Sequence, residues 1–237
     1  LADVEWKGET KIQKTKIEWA DYSVNPVKGY CPVGCEYCYA RRMYDRFKWD
    51  KTIRFDFNAL HTFGKFKSGS RVFVGSTIEL FHPEVMGKVE FRTSLIIEEA
   101  GFYPDVSFIF LTKCPQNLHK FSPWPKNCWV GVSVCNDKML DIAVDKLEDI
   151  EAGTKFISFE PLLERLTLSL AYAFYYSGIS WLIIGAATHY KDAPPLSKVQ
   201  GWAREIIAAA DEAGIPVFCK DNLKLPANEI RREWPKP

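Results

Sequence analysis

The sequence predicts an α/β fold of roughly six or seven βα units wound into an open sheet or a barrel, and two observations predict it. Short apolar runs recur along the chain, and the segments between them carry apolar residues at helical spacing. A first strand is expected near residues 17–24. Apolar runs at 72–74, 107–111, 129–134, 155–159, 181–184 and 216–219 then read as buried parallel strands. Amphipathic helices are expected over 88–99, 138–150 and 198–213. The Pro-rich pieces at 115–125 and 194–195 read as loops, and residues 224–237 as a C-terminal appendage or lid. In such folds the carboxyl ends of the strands face the ligand. Those positions are polar here: Gly75-Ser76-Thr77, Thr112-Lys113, Ser133, Ser158 with Glu160, Gly185, and Lys220-Asp221.

The 237 residues, 47% of them hydrophobic, suffice for one domain over 1–237 with a substantial core. Lys and Arg number 31 against 30 Asp and Glu, which argues against a surface built throughout to grip polyanions, so any nucleic-acid contact must be a local patch. Seven cysteines, an odd number, do not suit a disulfide scaffold in a chain of this length. Reduced thiols and a cytoplasmic location are expected. The stretch 166–187 is apolar enough to raise a membrane-spanning helix, but Ser177-Gly178 interrupts it. A helix end, a turn and a buried strand explain the same residues, so no membrane partner is expected.

The strongest chemical signal is Gly29-Tyr30-Cys31-Pro32-Val33-Gly34-Cys35-Glu36-Tyr37-Cys38. Three thiolates this close in sequence, in a loop loosened by Gly29 and Gly34, can gather on one inorganic cluster. A four-iron cluster needs four ligands, so a loop supplying three leaves one iron open to an exogenous donor. Zinc competes for such loops, but a structural zinc asks for a fourth protein ligand that no second Cys or His pair cleanly supplies.

This loop resembles that of the radical S-adenosylmethionine (SAM) superfamily, in which an aromatic residue, here Tyr37, commonly precedes the last cysteine. The resemblance sharpens over Lys16-Ile17-Glu18-Trp19, Asn25-Pro26-Val27, Tyr39-Ala40-Arg41-Arg42, Leu80-Phe81-His82, Leu111-Thr112-Lys113, Trp129-Val130-Gly131-Val132-Ser133-Val134 and Glu160-Pro161-Leu162-Leu163. These blocks are similar to an uncharacterised phage- and bacteria-associated family of radical-SAM-like proteins. The chain departs from that family at Cys114, at Cys135-Asn136 and at Gly185-Ala186-Ala187. It is more distantly similar to the spore photoproduct lyases, DNA-repair members of the superfamily.

The resemblance implies a partial (β/α)6–7 TIM-like barrel whose cluster loop spans 29–40. It also implies a 4Fe-4S cluster on Cys31, Cys35 and Cys38, with S-adenosyl-L-methionine chelating the open iron. Lys113 and Ser133 would contact that cofactor, as a lysine and a serine at consecutive strand ends do in the lyases. Ser76 and Thr77 would take its amino group, and Tyr37 and Glu160 complete the expected cofactor surroundings. The implied activity is hydrogen abstraction by a deoxyadenosyl radical, with nucleic-acid modification or repair as one substrate class and a peptide or small metabolite as another. A non-catalytic iron–sulfur or zinc module is the third reading. An external one-electron reductant of flavodoxin or ferredoxin type is an implied partner.

Cys114, Cys135 and Cys219 lie at or near expected strand ends and are candidate hydrogen donors to a product radical, although free cysteines are more often packing residues. The run from Arg41 to Lys51 mixes cations with aromatics, a combination that suits phosphates and stacked bases, although a solvated helix face is the plainer reading. No paired histidines, Walker-type loop or Gly-x-Ser-x-Gly elbow appears.

Overall fold

The computed structural model describes Ile12 and residues 14–235. Among them, strands and helices alternate as β1 (Tyr22–Val24), β2 (Val27–Lys28), α1 (Tyr39–Phe47), β3 (Arg54–Phe55), α2 (Phe57–Leu60), β4 (Arg71–Val74), α3 (Pro83–Val89), α4 (Arg92–Gly101) and β5 (Ser107–Thr112). They continue as β6 (Cys128–Ser133), α5 (Asp137–Glu148), β7 (Thr154–Phe159), α6 (Leu170–Ser177), β8 (Trp181–Ile184), α7 (Leu196–Ala213) and β9 (Val217–Cys219). Seven strands form one parallel sheet in the order β1-β4-β5-β6-β7-β8-β9. It curls into a half-barrel, the partial TIM-like architecture expected above.

The strands read as continuous apolar runs because both faces of the sheet are buried. Phe73, Ile109, Phe156, Trp181, Ile183 and Phe218 fill the concave face together with Trp19. Val72, Phe108, Val130, Ile157 and Leu182 point the other way, against Ile96, Leu140, Leu147, Val199 and Ala203 of the helices. The concave core leaves no room at Gly131, where a Cβ would lie 2.3 Å from the Phe156 ring. Glycine is required at that point by close approach.

The sheet does not close on itself, and the chain end crosses the gap. Arg232 forms an antiparallel bridge to Phe218 on β9, and the Trp181 Nε1–H donates to the Glu233 carbonyl at 2.8 Å. On the far side the Trp234 Nε1–H reaches the Trp19 carbonyl at 3.3 Å, and the Arg71 guanidinium lies 4.2 Å from the Trp234 ring. In their described part, residues 224–237 therefore tie the last strand to the segment before the first.

Local chemistry moves some boundaries. The helix expected over 88–99 is two helices, because Glu90 takes φ 52° and breaks the run between α3 and α4. The first strand is shorter than 17–24, since residues 17–20 form a turn closed by the Ala20 N–H on the Ile17 carbonyl. The apolar stretch at 166–187 resolves into α6, a left-handed Gly178 cap (φ 65°) and the buried β8. Among the described residues no helix is long and apolar enough to cross a membrane.

Asp21 fastens the edge strand β1 to β4. Its carboxylate accepts from the Arg71 backbone N–H at 2.9 Å, from Nε at 3.1 Å and from Nη2 at 3.0 Å. Burial alone would raise this carboxyl, but the Arg71 hydrogen bonds and charge outweigh it and hold the pKa below its ordinary value. A depressed folded-state pKa adds stability above the unfolded value, and that increment is lost as pH falls through the folded one. Asp21→Asn is expected to cost about 1 kcal/mol at neutral pH, after discounting for partial exposure, and less below about pH 4. Urea unfolding at pH 7 and pH 3 measures this; an equal cost at both values contradicts the assignment.

Candidate active site

The cysteine loop is strung between β2 and α1, and β2 pairs antiparallel with β3 so that the two ends of this excursion are held together. The Tyr30 N–H donates to the Lys51 carbonyl at 3.0 Å, the Gly29 N–H to the Tyr44 hydroxyl at 2.9 Å, and Arg41 Nη1 to the Cys31 carbonyl at 3.0 Å. Gly29 sits at φ 130°, and a Cβ there would come within 2.6 Å of Ile53 Cα. Both facts confine the position to glycine. A turn closed by the Cys38 N–H on the Cys35 carbonyl, 3.2 Å, leads directly into α1.

Cys31, Cys35 and Cys38 all border one cavity of about 390 Å³ at the carboxyl ends of the strands. That size is within the range of small-molecule sites. The sequence-derived residues Tyr37, Ser76, Thr77, Lys113, Ser133 and Glu160 border the same cavity. Chain order places these groups far apart; the parallel sheet brings them together because every strand ends at the same rim.

Each has identifiable support. Asn25 Oδ1 accepts from the Ser76 hydroxyl and the Thr77 N–H, both at 3.2 Å, fixing the turn after β4. The Tyr39 hydroxyl donates to the Ser76 carbonyl at 2.8 Å, joining that turn to the start of α1. Glu160 pairs with Lys220 from the end of β9. Asn222 clamps the next turn, accepting from the Ala186 N–H at 3.0 Å and donating to its carbonyl at 2.7 Å. Ser133 and Ser158 are register partners on β6 and β7, both buried, and neither hydroxyl has a hydrogen-bond partner. Orphaned buried hydroxyls are costly, and Ser133 borders the cavity, so its oxygen is available to a ligand there.

Glu79 was not singled out by the sequence reading. It borders the cavity, is 7% exposed, and accepts from the Thr112 hydroxyl at 2.6 Å, the Lys113 N–H at 2.7 Å and the Phe81 N–H at 3.2 Å. One carboxylate thus sets the end of β5, and with it the base of the Lys113 side chain. The available signal was an acid enclosed in Ile78-Glu79-Leu80-Phe81, since a carboxylate in an apolar run is buried only when paired.

The remaining cysteines separate. The Cys135 thiol is buried and hydrogen-bonds with the Tyr37 hydroxyl at 3.3 Å. Lys113 Nζ lies 5.9 Å from the centre of the Tyr37 ring. Burial raises the Cys135 pKa, with the Tyr37 hydrogen bond and the Lys113 charge opposing. Burial likewise raises Tyr37, helped by neighbouring Cys135 and Cys35, so this contact is between neutral groups. Cys114 is pushed up to about 12 by burial and then by the charges of Glu79, Cys31 and Cys35. Neither Cys114 nor Cys135 lies directly on the cavity wall. Cys219 faces the convex core together with Cys128, away from the cavity, which separates it from the strand-end positions expected to face a ligand. The alternating pleat of β9 explains this: Phe218 takes the concave side and Cys219 the other.

The donor set fits a cluster held by three thiolates. Among the described residues no three His, Cys, Asp or Glu side chains gather as a single ion requires. A cluster asks for less convergence, because each thiolate binds its own iron. Burial raises the Cys31 pKa, and backbone N–H groups of Val33 and Glu79 partly offset this by donating to the sulfur. Metal binding at such a thiol releases a proton.

Fold and site together define a half-barrel α/β protein with a three-thiol loop and, at the carboxyl rim of its sheet, a mainly apolar cavity that carries a few ionic and hydroxyl groups. The chain belongs to the family described as protein of unknown function (DUF5131), whose model matches residues 14–233. No curated protein gives a significant match. Among solved structures, a mutant of spore photoproduct lyase superposes with a TM-score of 0.59 at 10% identity, over 88% of this chain and 78% of that one. Streptococcus suis SuiB gives a TM-score of 0.48 at 11% identity, over 89% of this chain and 53% of that one. At 10% identity the likeness to the lyase is one of fold.

Proposed function

We propose that this chain is a radical S-adenosylmethionine enzyme that abstracts hydrogen from an organic substrate held in the cavity at the carboxyl rim. The observation that carries the reading is that Cys31, Cys35 and Cys38 border the same cavity as Lys113, Ser133 and Glu160. The half-barrel shared with spore photoproduct lyase supports it. Cys31, Cys35 and Cys38 hold the 4Fe-4S cluster as thiolates. When bound, the cluster and S-adenosylmethionine supply reductive cleavage of a carbon–sulfur bond and a carbon radical that takes hydrogen from substrate.

The chain's own residues bind, orient and shield. Lys113 offers an ammonium to a carboxylate, and Ser133 an unpartnered hydroxyl to a polar oxygen. Ser76 and Thr77 present a turn already fixed by Asn25. The Glu160–Lys220 pair presents both charges at once, which suits a zwitterionic or hydrogen-bonding ligand better than a purely apolar one. The packed aromatic interior below the cavity excludes water from the concave side. Tyr37 stands on the cavity wall and touches the Cys135 thiol, so Cys135 is the better placed of the candidate hydrogen donors, acting through Tyr37.

Anaerobic reconstitution with iron and sulfide, followed by dithionite and S-adenosylmethionine, tests the reading. Release of 5′-deoxyadenosine is expected. A brown, iron-loaded protein that releases none would overturn it, as would a protein that takes up no iron.

A further inference from the structure

Residues 186–189, which follow β8, border the cavity that also carries the three thiols. The chain then runs into a short tip that reaches the thiol loop. Arg42 Nη1 donates to the His189 carbonyl at 2.6 Å, and the Tyr190 hydroxyl donates to Glu36 Oε2 at 3.1 Å. Glu36 lies between Cys35 and Cys38 in sequence. The Tyr190 ring also meets the Tyr37 ring edge-on, with centres 5.9 Å apart. Segments 147 and 154 positions apart are thus clasped together at the cavity.

The segment is held unevenly along its length. Its root is firm: Asn222 makes two hydrogen bonds to Ala186 and donates to the Thr188 hydroxyl at 3.2 Å. Its far end is fixed where the Pro195 carbonyl accepts from the Lys198 and Val199 N–H groups of α7, at 3.0 and 3.2 Å. Between these anchors lie the clasp and one turn, closed by the Ala193 N–H on the Tyr190 carbonyl at 3.3 Å. Both clasp hydrogen bonds are exposed to solvent, so water can replace them when they break. Lys191 and Asp192 at the tip are exposed and face each other at 3.8 Å. His189 takes φ 56°, a conformation that strains a non-glycine residue. Of the four described non-glycine residues at positive φ, it alone borders the cavity. A strained residue between a fixed root and a weakly held tip has the properties of a hinge.

We infer that residues 189–193 are a gate, hinged at His189, whose clasp to Glu36 and Arg42 opens to admit a ligand to the thiols and closes behind it. The inference rests on the function proposed above only for the identity of that ligand. A permanent wall would be anchored on the far side by buried contacts, and here both described hydrogen bonds to the far side are exposed. Closure serves chemistry that must exclude water.

The test uses the full reduced chain without cluster, with iodoacetamide as the probe and the alkylation rate of each cysteine, read by peptide mass, as the readout. Tyr190→Phe removes the hydroxyl that reaches Glu36 and alters no charged residue. It should raise the rates at Cys35 and Cys38 roughly threefold. Tyr190→Ala, which also removes the ring against Tyr37, should raise them further. Cys128, buried on the convex face, should stay slow in both variants. Parent-like rates at Cys35 and Cys38 overturn the gate, and so does a rise that extends to Cys128, which would mean general loosening. In the reconstituted chain, S-adenosylmethionine should both enter and leave the Tyr190→Phe variant faster. A faster departure with unchanged entry assigns Tyr190 to ligand binding and overturns the gate as well. A parent chain that binds no S-adenosylmethionine overturns the proposed function, while the thiol rates still decide the gate.

Discussion

Cys35→Ala is expected to yield a folded protein that retains no cluster and releases no detectable 5′-deoxyadenosine. Cys35 is only partly buried and borders the cavity, so removing its sulfur empties no core space and should cost little stability. The same change takes away one of three adjacent thiolates, and two cannot hold a cluster that already lacks a fourth protein ligand. Iron and sulfide content, visible absorbance and deoxyadenosine release should fall together, by about two orders of magnitude or more. Circular dichroism should stay that of the parent. Cys128→Ala supplies the contrast: it is buried on the convex face away from the cavity, so it loses some stability but keeps its iron. Full iron loading in the Cys35 variant would remove the cluster assignment.

Glu79→Ala is expected to be the most destabilising single change at the site. It strips the acceptor from the Thr112 hydroxyl, the Lys113 N–H and the Phe81 N–H at once. Unsatisfied buried donors cost roughly 1–3 kcal/mol each, and partial relaxation brings the sum to about 2–4 kcal/mol. Glu79→Gln keeps the shape and one oxygen but sets an amide donor where the other oxygen stood, and should cost about 1–3 kcal/mol. Urea unfolding measures both. The end of β5 also carries Lys113, so S-adenosylmethionine affinity of the reconstituted Gln variant should weaken even where the protein remains folded. If both variants stay within about 0.5 kcal/mol of the parent, Glu79 does not organise the strand end.

The strands were legible because a sheet buried on both faces writes itself as uninterrupted apolar runs, and 72–74, 107–111 and 181–184 coincide with β4, β5 and β8 within a residue. The three-cysteine loop stood out because its pattern is local, three thiols in one short segment. The break at Glu90 was not, since a non-glycine residue at positive φ is held there by surroundings that no local pattern encodes. Glu79 was missed for a related reason: its three donors come from Thr112, Lys113 and Phe81, and two of those, the last residue of β5 and the one after it, become its neighbours only after folding. The sorting of Cys219 into the convex core turned on the pleat, where a shift of one residue exchanges the two faces, whereas Cys135 meets Tyr37 from the loop after β6, a contact made only in the folded chain.

The amino-acid order by itself determined the succession of strands and helices and the three-cysteine loop, because burial period and thiol spacing act over a few residues. Only the tertiary structure decided that Lys113, Ser133, Glu160 and Lys220 share a cavity with that loop and that Glu79 braces it. Parallel strands bring residues tens of positions apart to one rim, and which side chains meet there is set by register and curl.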